Sequence, residues 1–331
     1  MSLEEVAKQA KVSTATVSRV LNNVGPVRAS TRSRVLKAIE ELKYHPNLHA
    51  RNLAGGKSRT FGMIVSNLEN PFFFDVFKAA EEVARSRGFE IVLANTDYNP
   101  EHLVRNIRLM LGRRVAGLAL VISEMDPAVG QEFAEMDIPV VFYDVGAPKH
   151  NVSNITVNYG KGIERAVHYL HALGHKRMAF VGHHPSLGPL GTRERVFRET
   201  VGEFASAIDW KVVASTDTIE GGRTATREIL GSGLNPTAII CVNDFMALGV
   251  LHELREAGLR VPDDISVTGF DNIKLAEVAW PPLTTVHIPR ERVGQLMMQV
   301  LTSPQPENGA GRNIVIDPEF VVRASTGAVR A

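Results

Sequence analysis

The chain has 331 residues, 44% hydrophobic and 22% charged, proportions that exclude a disordered or collagen-like chain and suit about two globular domains. The longest apolar run, residues 115–122, falls far short of the roughly 20 residues that a bilayer-spanning helix needs, and the single Cys241 cannot close an intrachain disulfide. A net charge of +1 conceals an asymmetry, because residues 1–57 carry ten Lys/Arg against four acids, a balance of +6 that leaves −5 for the rest.

Along the chain, Leu3, Val6, Ala7 and Ala10 repeat at helical spacing behind Ser2-x-x-Glu5, the form of a capping box, and predict a helix over 3–10. Ser13 is placed to cap a second helix over 14–21, and Ser30 or Thr31 a third that carries Val35, Leu36, Ile39 and Leu42 on one side. After Pro46, residues 47–54 have room for two helical turns before Gly55-Gly56, a length that needs a partner to be stable. From Phe61 the texture changes to short apolar runs, 61–66, 90–97, 115–123 and 139–144, then 177–182, 211–216, 237–244 and 265–271, separated by helical stretches. Two sets of alternating strands and helices predict two doubly wound parallel-sheet lobes, with ligand groups beyond the carboxyl ends of the strands. A loop over 303–311 and a strand over 312–316 close the pattern. The acidic first residues lack the basic and apolar regions of a secretory signal, so a cytoplasmic location is expected.

Two short helices joined by Lys11-Val12 have the layout of a helix-turn-helix, although spacing alone also fits an ordinary helical hairpin. In the former, the start of the second helix enters the major groove. That points Thr14, Ala15, Thr16 and Arg19 at base edges, while Ser13, Ser18 and Asn22 suit phosphates. A basic head fits such a role, and a solvated basic face is the plainer alternative.

The runs VAKQAKVSTATVSRVLNN and TRSRVLKAIEELKYHPNLHARNLAGGKSRTFGMI closely resemble the head of the LacI/GalR family of bacterial transcriptional regulators. The resemblance continues through NPFFFDVFKAAEEVARSRG, IPVVFYD, LGHKRMAFVG, VNDFMALGVLHELREAGLRVPDDISVTGFDNI and PPLTTV. It implies a helix-turn-helix domain over 1–45, a hinge over 46–57, and a periplasmic-binding-protein-like effector core over 58–331. Lobe one of that core would span about 58–160 and 289–318, and lobe two about 161–288 and 319–331. Thr14, Ala15 and Arg19 match base-reading positions, Leu53 matches a leucine wedged into the minor groove, and Arg51 of the same segment joins the DNA-binding set. Two positions depart from the family: Lys11 and Lys43 stand where glycine is common, so either the turns differ or strain is accepted.

For the effector, the resemblance implies Phe72 and Phe73 beside a ring, Asp144 at the end of the fourth strand, and Arg195, Asn243 and Asp271 from the second lobe. Such a set suits a sugar or sugar derivative. Phe72 and Phe73 also read as core, and Asp271 as a turn carboxylate. Because Val196-Phe197 follows Arg195 where the family has a Gly-aromatic pair, Arg193 is an alternative to Arg195. His168, His171 and His175 raise a metal site, but no HExxH or paired CxxC accompanies them, so no metal and no cofactor are expected. With no nucleophile motif either, the expectation is a dimeric, effector-controlled repressor on a near-palindromic operator rather than an enzyme. The competing reading is a solute-binding or enzyme-like cleft protein without DNA function.

Overall fold

The computed structural model describes residues 2–22, 24–44, 58–124, 136–144, 148–184, 188–204, 207–304 and 309–330, and the chain divides into two compact units, Met1–Ser58 and Arg59–Ala331. The proposed hinge, with Arg51 and Leu53, lies outside the described residues, as does the side chain of Asn22.

In the first unit, α1 (Leu3–Ala10) starts on a complete capping box: Ser2 Oγ accepts from Glu5 N, and Glu5 accepts from Ser2 N at 2.7 Å. Ser13 Oγ accepts from Thr16 N at the head of α2 (Thr14–Asn22). The third helix, α3 (Ala29–Glu41), begins before the expected Ser30 or Thr31 cap: Arg28 is the N-cap and makes no side-chain cap bond, because Ala29 and Ser30 are already helical. Val6, Ala7 and Ala10 pack with Val17, Val20, Val35 and Ala38 into a small core. Both turns hold lysine in the left-handed region, Lys11 at φ 54° and Lys43 at φ 46°. Each sits inside a six-residue closing bond, Val12 N to Ala7 O and Tyr44 N to Ile39 O, both 3.0 Å. The turns therefore keep the glycine geometry and accept the strain, about 1–2 kcal/mol per residue.

The second unit contains two six-stranded sheets. Lobe one is built from β1 (Thr60–Val65), α4 (Pro71–Ser86), β2 (Glu90–Asn95), α5 (Pro100–Gly112), β3 (Leu118–Val121), β4 (Val140–Tyr143) and β5 (Val152–Val157). The chain then crosses into lobe two with α6 (Tyr159–Ala172), β6 (Arg177–His183), α7 (Gly188–Glu203), β7 (Asp209–Ser215), α8 (Ile219–Leu230), β8 (Ala238–Cys241), α9 (Asp244–Glu256), β9 (Ser266–Asp271), α10 (Lys274–Val278) and β10 (Thr284–His287). It returns to lobe one for α11 (Arg290–Thr302) and β11 (Asn313–Ile316), and ends on β12 (Glu319–Val321) in lobe two. The sheet orders are β11-β5-β4-β3-β1-β2 and β12-β10-β9-β8-β6-β7. Every pairing is parallel except β10 with β12.

Each sheet reverses its strand order beside its first strand, between β1 and β3 in one lobe and between β6 and β8 in the other. Connections at such a switch point diverge and leave a crevice at the strand ends. The two crevices face each other, and three crossovers, at residue 158 and at 288–289 and 317–318, join the lobes beside them. The helices pack tightly around this frame. A Cβ on Gly222 of α8 would stand 2.1 Å from Met246 O of α9, and one on Gly249 of α9 2.0 Å from Ile219 O, so only glycine permits that crossing. Among the described residues, no helix is long and apolar enough to cross a membrane.

Candidate functional site

On the helical head, Thr14, Ala15 and Arg19 are exposed on α2, opposite the buried Val17 and Val20 that fix the helix to its core. Ser13 is exposed as well, but its Oγ is engaged with the N–H and hydroxyl of Thr16, the latter at 3.0 Å. Thr16 and Ser18 are half-buried beside them. Thus the start of α2 presents one small, one hydroxylated and one long cationic side chain on its exposed side.

The second site lies between the lobes, where a cavity of about 30 Å³ is lined by Asn70, Phe72, Phe73, Tyr98, Tyr143 and Tyr159 with Arg193, Asp217, Asn243 and Asp271. Its centre is an ion pair: Arg193 Nη2 donates to Asp271 Oδ1 at 3.1 Å, and both side chains are 5% exposed. Arg193 also donates to Val242 O at 2.7 Å, and its guanidinium lies over the rings of Phe270 at 4.0 Å and Tyr159 at 4.6 Å. Burial opposes the charge of Arg193, but Asp271 and the two tyrosines outweigh it, and its pKa is raised. Burial pushes Asp271 up to about 6 against the pull of Arg193 and Arg290. Asp144, half-buried at a left-handed φ of 57°, is pushed up to about 7 by burial, opposed by Tyr159 and Arg193. Arg193 Nε and the hydroxyls of Tyr143 and Tyr159 are buried with no hydrogen bond of ordinary geometry, although these groups are near enough to shift one another's titration.

The structure corrects one expected residue. Arg195 does not enter the cleft: it is 60% exposed and pairs with Glu199 one turn on, whereas Arg193 is the buried arginine. The reason is helical phase, since Leu190, Arg193, Val196 and Phe197 form the buried stripe of α7 and Arg195 falls outside it. Phe72 and Phe73 line the cavity and belong to the core as well, with centroids 5.3 Å apart edge to face. Asn243 is both a helix cap, accepting from Met246 N, and a cleft residue, donating to Asp217 at 2.6 Å. Asp144 is not on the cavity wall but stands behind it, next to Tyr143.

Two family models match the chain. Residues 2–47 fit bacterial regulatory proteins of the lacI family, and residues 167–326 fit the periplasmic binding protein-like domain. The chain is 35% identical over 328 residues to the HTH-type transcriptional repressor PurR of Histophilus somni (strain 129Pt), covering 98% of each. The chain belongs to the LacI family. Among solved structures, the lac repressor dimer bound to operator and the anti-inducer ONPF superimposes with a TM-score of 0.85 at 30% identity over 99% of each chain. The transcriptional regulator CelR–cellobiose complex gives 0.70 at 28% identity over 98% of this chain and 99% of that one. This LacI-family member is a DNA-binding transcriptional repressor rather than an enzyme, and its core has the family's two-lobe, periplasmic-binding-protein-like fold.

Several cleft residues of this LacI-family protein escape a reading of the sequence. Tyr98, Tyr159 and Asp217 lie in none of the quoted runs, and Tyr143 lies in IPVVFYD beside Asp144 without being singled out; each follows or closes a strand or opens a helix, a signal shared by many residues that do nothing. Asn70 had a cue, since it opens the run NPFFFDVF, precedes Pro71 and caps α4 by accepting from Phe72 N at 3.1 Å, whereas Asn67 had none. The histidines have plain roles: His168 meets Phe204 edge to face, His171 lies tilted against the same ring, and His175 bonds Thr237 and Gly327 O. Among the described residues no group of three or more His, Cys, Asp and Glu is placed to hold a metal.

Proposed function

We propose that two copies bind a near-palindromic operator, each placing α2 in a major groove, and that a neutral, hydroxyl-rich effector in the interlobe cleft controls the binding. Thr14, Ala15, Thr16 and Arg19 read bases, Ser13, Ser18 and Asn22 hold phosphates, and the hinge over 46–57 carries Leu53 and Arg51 to the minor groove. The two-fold symmetry of such a dimer asks for two-fold symmetry in the site. Support comes from the operator-bound lac repressor dimer among the similar structures.

The observation that carries the effector reading is the polarity of the cleft wall: Arg193 Nε and the hydroxyls of Tyr143 and Tyr159 are buried among aromatic rings and make no hydrogen bond of ordinary geometry, close as they are to one another. Buried polar groups are almost always satisfied, and ligand hydroxyls both donate and accept. The cellobiose bound by a structural neighbour is of this chemical class. A cavity of about 30 Å³ holds a water, so a sugar enters only when the lobes part. Binding then couples to lobe geometry and to the hinges, a coupling of about 1–3 kcal/mol.

The test is selection of bound duplexes from a random pool at fixed salt, followed by a calorimetric screen with neutral sugars and, as the contrasting class, nitrogen heterocycles. Enrichment of a near-palindrome whose affinity then moves about 5–150-fold with a sugar supports the whole reading. Enrichment of asymmetric sites removes the dimer, and a response to heterocycles alone removes the sugar class.

A further inference from the structure

Among the contacts that bridge the lobes at the cleft, one carboxylate gathers the most side-chain donors. Asp217 of lobe two is 2% exposed, and side-chain donors of both lobes converge on it. From lobe one, Asn70 Nδ2 donates to Oδ2 at 3.3 Å, Tyr98 OH donates to the same oxygen, and Asn67 Nδ2 reaches the Asp217 carbonyl at 3.0 Å and Oδ2 at 3.5 Å. From lobe two, Asn243 Nδ2 donates to Oδ1 at 2.6 Å. The orientation of each amide is fixed from behind. Asn67 Oδ1 accepts from Glu69 N at 2.9 Å, Asn70 Oδ1 from Phe72 N at 3.1 Å, and Asn243 Oδ1 from Met246 N at 2.9 Å. With each carbonyl oxygen tied to a backbone N–H, each NH₂ group must face the carboxylate. No cation pairs with Asp217 among these contacts, so the cradle is a set of neutral donors preorganised for one carboxylate, as in protein sites that recognise carboxylate ligands.

We propose that Asn67, Asn70 and Tyr98, together with Asn243, form a carboxylate-binding site whose resident ligand is Asp217, and that this internal ligand latches the two lobes shut. When the lobes part, Asp217 and Asn243 leave with lobe two, and the three lobe-one donors lose their acceptor. The latch therefore enters the closing equilibrium that an effector biases, and an effector that wedges the cleft open must break it. Because several donors already occupy Asp217, the effector meets the Arg193 and tyrosine wall instead. The inference rests on the interlobe cleft being the effector site. Its test uses neither effector nor DNA, so a failure of the effector reading leaves the result below unchanged.

The full chain carries one spin label on an exposed residue of each lobe, and the distance distribution is read for the parent, Asp217→Ala and Asp217→Asn with sodium acetate from zero to about 100 mM. Charge-assisted hydrogen bonds of this kind correspond to about tenfold or more in an equilibrium. Asp217→Ala is expected to lower the closed-to-open ratio by at least about that factor, and acetate to restore closure in this variant, with chloride at equal ionic strength inert. Asp217→Asn, whose side chain still fills the cradle, is expected to be open and insensitive to acetate. An Asp217→Ala distribution identical to the parent's overturns the latch, and closure by acetate in all three proteins alike overturns the carboxylate site. Should Asp217→Ala not fold, Tyr98→Phe removes one donor from the opposite lobe and leaves every charge in place. It is expected to broaden the distribution toward open, and an unchanged distribution overturns the proposal.

Discussion

Replacing Arg193 with methionine tests the core of the site. The guanidinium and the Asp271 carboxylate are both about 5% exposed, so removing one partner leaves a buried charge uncompensated, a loss of about 3–5 kcal/mol. Val242 O also loses its donor, and the rings of Phe270 and Tyr159 lose their cation. These losses share one side chain and do not add. The total is capped by protonation, because Asp271, already raised to about 6, takes up a proton once Arg193 is gone. Urea unfolding of the full chain should therefore show a loss of about 3–5 kcal/mol for Arg193→Met at pH 8, and a smaller one at pH 5. Adding Asp271→Asn should recover part of it. Arg195→Met, breaking an exposed pair within one helix, should change stability by no more than about 0.5 kcal/mol. Equal losses for Arg193→Met and Arg195→Met, or a double variant that loses the sum of its singles, would refute the assignment of the buried arginine.

Other consequences can be measured separately. Asp144 has a folded pKa raised to about 7, so its contribution is intact in acid and is lost as pH rises through 7. Asp144→Asn, which keeps the left-handed backbone at low cost, should remove this slope and stabilise the protein at pH 8 by on the order of 2–4 kcal/mol, read from chemical unfolding at both ends of the range. Lys11→Gly relieves φ 54° and should stabilise the helical head by roughly 0.5–1 kcal/mol, seen as slower amide exchange in α1 and α2 of the intact chain; faster exchange would contradict the strain. Arg19→Ala should cost about 1–3 kcal/mol of operator affinity with relaxed preference at one base position, and a uniform loss on all sequences would make it a phosphate contact instead. Leu53→Ala should weaken specific DNA binding while calorimetric ligand affinity stays unchanged; equal losses in both would remove the minor-groove wedge.

The lobes were legible where strands are apolar and continuous, as in FGMIV, VVFY and RMAFVG, because a strand covered on both faces must be hydrophobic throughout. The reading failed where polar residues are buried inside the sheet. In β10, Thr284 and Thr285 are fully buried, satisfied by Arg323 O, Thr326 and Asp244, partners that lie 39–42 residues away. β5 interrupts its apolar pattern with Ser153, Asn154 and Thr156, and β12 has only three residues. The same limit governs the site. Asp271 and Asn243 stand at the ends of readable strands, whereas Asp217 gains its meaning from Asn67 and Asn70, 150 and 147 residues earlier. Arg193 was within reach, since the apolar spacing of Leu190, Val196 and Phe197 sets the buried side of α7 and puts Arg193, not Arg195, on it.

The three crossovers make each lobe a patchwork in sequence, and this orders events during synthesis. The helical head, Met1–Ser58, emerges first and has a core of its own. Neither sheet can be completed until the ribosome reaches the last strands, Asn313–Ile316 for one and Glu319–Val321 for the other. For most of translation the protein is thus a folded helical head attached to an unfinished two-lobe core. Any chain cut short before residue 313 would keep the head but lack an edge of both sheets, so premature termination should yield folded heads severed from any control by the core.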